Sequence, residues 1–197
     1  MKITDINQLD PAGTYTYADY LTWQLDEYVE LLRGKIFRMS PAPSRRHQEI
    51  SVNLTTLFKQ FLWKNPCKVY SAPFDVRLPY FNKKKNKEVI TVVQPDICII
   101  CDHQKLDDKG CIGAPDLIIE IVSPGNSRKE LREKYEIYEE SGVREYWIVY
   151  PHENTVQVFQ LNDTGEFVGL KPNIEDDIVS PCIFPELTID LKEVFAE

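Results

Sequence analysis

Glu120 lies in the middle of a strand that reads as core. The run Leu117-Ile118-Ile119-Glu120-Ile121-Val122 is apolar, rich in β-branched residues and bounded by Gly, Pro and Asp on one side and by Ser-Pro-Gly-Asn on the other. That pattern predicts a buried strand rather than a helix segment. Side chains alternate along a strand, so Asp116, Ile118, Glu120 and Val122 share one face. A lone carboxylate in such a place is costly unless a partner compensates it. The fold must therefore bring a counter-charge or a ligand to Glu120.

The residues that follow supply a candidate. Ser127 and Glu130 have the spacing of a capping box, and Gly142 stops the helix they open. Leu131, Tyr135 and Tyr138 form its inward stripe, and Lys134 sits at the stripe's edge. A lysine there either snorkels out to water or reaches a buried carboxylate. Residues 145–150, EYWIVY, form the next strand, and residues 155–161 pair with it across a turn. The unit 113–151 is thus a strand, a helix and a strand, as in a mixed α/β core.

Upstream, residues 16–24 suggest a short helix. Residues 28–32 and 35–39 read as two strands around Arg33-Gly34. Glu30 in the first of them is either a solvent-facing charge on a half-buried strand or a second strand-embedded acid. Ser44 is a candidate cap for a helix to about residue 64, whose stripe is Ile50, Leu54, Leu57, Phe58, Phe61 and Leu62. His47 projects near that stripe one turn in, as a structural histidine or as a polar group at a site. Residues 69–79 read as one strand, and Lys83, Lys84, Lys85 and Lys87 as a solvated tip or a phosphate contact. Pro95-Asp96 opens a second apolar strand, residues 97–100, and residues 102–110 read as a polar loop.

The bulk numbers exclude several classes. No run of about 18 apolar residues is present, so no spanning helix is expected. The first ten residues lack a basic-then-apolar leader pattern. Five cysteines, Cys67, Cys98, Cys101, Cys111 and Cys182, have no framework spacing and are expected as reduced thiols in a cytoplasmic protein. Cys98 and Cys101 fall on opposite faces of a strand, which argues against a metal or redox pair. A net charge of −8 argues against a general nucleic-acid coat but leaves room for a local basic groove.

Two acids in apolar strands, Asp96 and Glu120, suit a hard cation such as Mg2+, and Lys134 would offset charge beside it. The segments FRMSPAPSRRHQEI, VVQPDICII, GAPDLIIEIVSP and KYEIYEESGVREYWIVYP resemble the Uma-type family of restriction-endonuclease-like proteins, from about residue 28 to residue 195. The resemblance implies a PD-(D/E)xK nuclease fold, with a central mixed sheet flanked by helices and Mg2+ or Mn2+ held by carboxylates. It implies one domain over residues 1–197, with an N-terminal arm (1–26), a core (about 28–161) and a C-terminal extension (162–197). Pro95-Asp96 looks like the PD element and Glu120-Ile121-Val122 like the (D/E)xK element, with Val122 in place of the lysine. Lys134 would supply the missing cation, the Ile121 carbonyl would be a further metal ligand, and Glu30 and His47 would complete the site. Asp116 resembles a recurring family acid, facing the same site or capping the strand entry. Tyr150 stands where family members often carry Asp, with no expected effect on chemistry. The implied activity is Mg2+-dependent hydrolysis of DNA phosphodiesters, in a protein able to pair two subunits across a duplex. The alternatives are a nuclease-fold binding or regulatory module that has lost catalysis, or a hydrolase of a small phosphate compound.

Overall fold

The computed structural model describes residues 2–39, 42–79, 85–123 and 128–196. The chain opens with α1 (Tyr17–Tyr20), β1 (Val29–Leu32), β2 (Lys35–Arg38), α2 (Arg45–Phe61), β3 (Lys68–Ser71), β4 (Val76–Arg77) and β5 (Val92–Val93). It continues through β6 (Ile97–Ile100), β7 (Leu106–Asp107), β8 (Gly110–Ile112), β9 (Leu117–Ile121), α3 (Arg128–Ser141), β10 (Glu145–Tyr150) and β11 (Thr155–Leu161). It ends with β12 (Phe167–Gly169), β13 (Asn173–Ile174), β14 (Ile178–Val179), β15 (Ile189–Asp190) and α4 (Leu191–Phe195).

Among the described residues, the main sheet runs β12-β11-β10-β9-β6-β3, with β13 also on β11. β9 and β10 are parallel, and β6 is antiparallel to β9. A parallel pair needs a crossover, and α3 provides it. A second sheet runs β2-β1-β5-β4-β8-β7. This is the mixed α/β architecture that the sequence pattern implies, and it is consistent with the restriction-endonuclease-like core that the family resemblance implies.

Alternation along the central strands sorts the core into two sides. Ile97, Ile99, Leu117, Ile119, Ile121, Trp147 and Val149 pack with Ile50, Leu54 and Phe58 of α2 and Leu191, Val194 and Phe195 of α4. Cys98, Ile100, Ile118, Tyr146 and Ile148 pack with Ile137 and Tyr138 of α3 and Val76, Val93 and Cys111 of the second sheet. Covering on both faces is why β6 and β9 are buried along their whole length.

Local chemistry sets the element ends. Arg33 and Gly34 both have positive φ (50° and 82°) in the β1–β2 turn, where a two-residue hairpin loop needs it. Ser44 Oγ accepts the His47 N–H at the start of α2 (3.2 Å). Gly142, at φ 80°, ends α3, and the Val143 N–H returns to the Tyr138 carbonyl (3.0 Å). Ser127 lies outside the described residues, as do Lys83 and Lys84 of the lysine run. Further along that run, the Asn86 carbonyl accepts the Ala18 N–H (3.1 Å).

Three expectations need correction. Residues 69–79 are two short strands in different sheets, separated around Pro73, which has no N–H to give to a ladder. The loop 102–110 carries half of the β7–β8 hairpin. Gly110 is required there, because a Cβ would meet the Asp75 carbonyl oxygen at 2.2 Å. The thiols are not all reduced, since Cys67 and Cys101 form a disulfide. Lys68 pairs with Ile100 in the β3–β6 ladder, so the residues just beyond that pair face each other across it. That register is invisible in the spacing of cysteines along the chain. Cys98 is a buried free thiol, as its opposite facing requires.

The C-terminal residues are fastened by a second strand carboxylate. Glu145 is fully buried at the start of β10. Trp147 Nε1–H donates to its Oε1 (2.7 Å), and the Cys182 N–H donates to its Oε2 (2.6 Å). Burial raises its pKa and those two bonds oppose the rise. An amide can accept only one of the two donors. Glu145→Gln is therefore expected to lower unfolding free energy by about 1–3 kcal/mol, read from urea unfolding.

Candidate functional site

Glu120 projects from β9 toward α3. Lys134 and Tyr138 stand one turn apart on α3 and meet it there. Lys134 Nζ lies 3.1 Å from Glu120 Oε1, and the Tyr138 hydroxyl donates to the same oxygen at 2.6 Å. Lys134 also reaches Glu30 Oε1 of β1 at 3.0 Å. That oxygen accepts the Gln94 backbone N–H as well (2.8 Å). Glu30 is 2% exposed, so it is a buried carboxylate and not a solvent-facing charge. β1 is buried throughout because Val29 and Leu31 pack with the N-terminal aromatic residues while Leu32 packs with the α3 side of the main sheet. Lys134 is likewise buried, and it does not snorkel.

Asp96 stands beside Glu120 because β6 and β9 are antiparallel with Ile97 opposite Ile119. Continuing that register by one residue sets Asp96 next to Glu120. Asp96 Oδ2 accepts the Ile121 N–H (2.7 Å), tying the carboxylate to the strand that carries Glu120. Its other oxygen, Oδ1, is 3.3 Å from His47 Nε2. His47 is buried in the first turn of α2, with its ring facing Asp96. Its side chain also lies against the Ile121 carbonyl. Glu30, His47, Asp96, Glu120 and Lys134 thus form one chain of neighbours from two sheets and two helices.

Burial and charge compete in this cluster. Burial raises the Glu120 pKa, Lys134 opposes it, and the charges of Asp96 and Glu30 raise it further; the balance is upward. For Lys134 burial acts downward, but Glu120 and Glu30 outweigh it and the ammonium is held well above its ordinary value. For His47 burial also acts downward and is outweighed by Asp96, Glu120 and the Ile121 carbonyl. Three carboxylates against one lysine and one histidine leave an excess of negative charge in a sheltered place. Such a place attracts a cation.

The donor set is suited to a hard divalent ion. Among the described residues no group of three or more His, Cys, Asp or Glu side chains is arranged to hold a metal. Mg2+, however, is usually bound through one or two carboxylates, with water and substrate oxygens filling the rest. Asp96 and Glu120 are adjacent, and Asp96 accepts the N–H of Ile121, the residue after Glu120. Val122, two residues after Glu120, carries no charge, and the ammonium beside Glu120 comes from α3.

Asp116 is elsewhere. It is four residues before Glu120, about 13 Å along a strand. Its Oδ2 accepts the Cys101 N–H (2.8 Å) and its Oδ1 is 3.3 Å from Arg144. It caps the strand entry. Two site residues were missed from the sequence, Tyr138 and Gln94. Tyr138 reads in the sequence as part of the helix stripe, and its spacing of four from Lys134 is the available signal. Gln94 precedes Pro95-Asp96 and acts through its backbone N–H, which leaves no mark in residue type. Its side chain donates to Asp75 (2.8 Å) and Tyr20 (3.3 Å), joining the site to the N-terminal aromatic cluster.

The ion triad yields a pH-dependent expectation. Lys134→Met leaves Glu30 and Glu120 buried without their cation, at a cost of about 3–5 kcal/mol near pH 8. Removing the ammonium lifts the folded-state Glu120 pKa further above its unfolded value. The folded variant then binds a proton more tightly than the unfolded chain, so stability returns as pH falls toward 5. Unfolding of wild type and variant at both pH values measures this. Equal deficits at pH 5 and pH 8 would contradict the ion-triad account.

The family model Uma2, described as "Putative restriction endonuclease", matches residues 17–192. An uncharacterized protein of Synechocystis, slr1290, is 24% identical over 176 residues, covering 88% of each chain. The crystal structure of a "putative nuclease belonging to DUF820" from Anabaena variabilis superposes with a TM-score of 0.70. It is 21% identical and the match covers 92% of this chain and 98% of that one, so the two share a fold. Among the described residues no helix is long and apolar enough to cross a membrane.

Proposed function

We propose that this chain, which belongs to the Uma2 family, is a metal-dependent endonuclease that hydrolyses DNA phosphodiester bonds. The observation that carries the reading is Asp96 set beside Glu120, with a buried lysine on Glu120. Asp96, Glu120 and the Ile121 carbonyl would hold Mg2+ or Mn2+. When bound, such an ion polarises a phosphoryl oxygen and lowers the pKa of a coordinated water.

The chain's own residues carry the rest. Hydrolysis joins a water oxygen to phosphorus, expels a sugar oxygen and adds negative charge to the phosphate in the transition state. Lys134 is the fixed cation proposed to offset that charge. Glu30 holds Lys134 from the second sheet, so the ammonium needs little rearrangement at the moment of reaction. His47 orients Asp96 through Oδ1, as the Ile121 N–H does through Oδ2. DNA as the substrate is consistent with the family description.

The second reading is a module that binds nucleic acid without cutting it. It is favoured by Val122 and by the engagement of Lys134 with two carboxylates. Plasmid nicking in Mg2+ or Mn2+ separates the two. The nuclease reading expects nicking that falls by about a hundredfold or more in Glu120→Gln and in Asp96→Asn, the scale of losing one preorganised electrostatic contact. Salt-dependent DNA binding with no nicking by any of the proteins would select the binding module instead.

A further inference from the structure

We infer that Tyr138 is a positioning residue of this site: with Lys134 it fixes Glu120 through one carboxylate oxygen and so presents the other to a divalent cation. The inference rests on the cation site proposed above and adds a residue that the PD-(D/E)xK motif does not contain. Tyr138 O–H and Lys134 Nζ both reach Oε1, at 2.6 and 3.1 Å. Among the described residues both hydrogen bonds to the Glu120 carboxylate fall on Oε1. Glu145, the buried carboxylate on the neighbouring strand, instead has a donor on each oxygen, from Trp147 and Cys182.

The hydroxyl's position is itself fixed. Tyr138 is fully buried, and its ring packs edge-on against Tyr146, with centroids 5.1 Å apart and planes at 73°. Ile118, Ile137 and Val143 belong to the same packed cluster. The backbone of Tyr138 is held by the Gly142 turn, where its carbonyl accepts the Val143 N–H. Ring, helix end and hydroxyl therefore move together or not at all. Tyr146 supplies an internal control. Its hydroxyl is also buried, but has no hydrogen-bond partner among the described residues.

The test is Mn2+ titration of the full-length protein by electron paramagnetic resonance, with thermal melts on the same samples. Wild type, Glu120→Gln, Tyr138→Phe and Tyr146→Phe are compared. The inference expects a wild-type site that Glu120→Gln abolishes and that Tyr138→Phe weakens by about ten- to a hundredfold, the usual loss on removing an outer-shell partner. Tyr146→Phe keeps the ring contact with Tyr138 and removes only a hydroxyl without a hydrogen-bond partner among the described residues, so it should leave the site unchanged. A lower melting temperature for Tyr138→Phe with undiminished Mn2+ affinity would make the hydroxyl structural and overturn the inference. Absence of any site in wild type would overturn the cation reading itself, and the inference with it. A Mn2+-soaked wild-type crystal gives a check that needs no variant. Glu120 should ligate through Oε2 with Oε1 still on Tyr138, and ligation through Oε1 with the tyrosine displaced would refute it.

Discussion

Lys134 Nζ sits between two buried carboxylates, 3.0 Å from Glu30 and 3.1 Å from Glu120, and it joins three parts of the molecule. Glu30 belongs to the second sheet, Glu120 to the main sheet and Lys134 to the crossover helix. None of the three groups is tolerable alone at its depth. The rotation of α3 about its axis, the approach of β1 and the facing of β9 must therefore agree. A slip of one residue in β9 would turn Glu120 to the α2 side, away from its cation. Apolar packing between α3 and the sheet would tolerate several arrangements, whereas the triad accepts few. Buried ion pairs seldom add net stability over apolar substitutes of the same shape. Their retention here is better explained by what they position.

The two buried carboxylates on neighbouring strands make that argument specific. Glu145 is satisfied on both oxygens by N–H groups, and it pins Cys182 to the sheet. It has no lysine, and two neutral donors are enough. Glu120 instead has an ammonium and a hydroxyl on one oxygen, beside a second acid and a histidine. Both groups have their pKa raised, with burial the largest cause in each. The raised pKa therefore does not separate a structural carboxylate from a candidate catalytic one. Between these two glutamates, the use of lone pairs and the sign of the neighbours do.

The parts of this arrangement that were legible in the sequence are those written in local pattern. The apolar run around Glu120 announced a buried strand, Ser44 and Gly142 marked helix ends, and Arg33-Gly34 marked a hairpin. Glu30, His47, Asp96, Glu120 and Lys134 were each named as candidates, although residue pattern alone left Glu30 and His47 open. Their convergence depends on contacts between residues far apart in the chain. The same is true of what was misread. The strand expected over residues 69–79 alternates correctly, yet Pro73 divides it between two sheets. The Cys67–Cys101 bond follows from β3–β6 register, which cysteine spacing does not encode. Asp116 shares a face with Glu120, and only the distance along the strand separates their roles.

Val122 raises the sharpest question about the chemistry. On a strand, the residue two positions after Glu120 faces the same side. A lysine there would approach Glu120 from within β9, as the motif's lysine does. Here the ammonium comes down from α3, and Glu30 of another sheet holds it from behind. This delivery has a physical consequence. A strand lysine is positioned by its own backbone, but Lys134 is positioned by helix packing, so its location inherits the rigidity of the Tyr138 cluster. The Gly142 turn and the Tyr138–Tyr146 contact then become part of what sets the charge beside Glu120. A change of packing at the end of α3 would move the ammonium as surely as a change at Lys134.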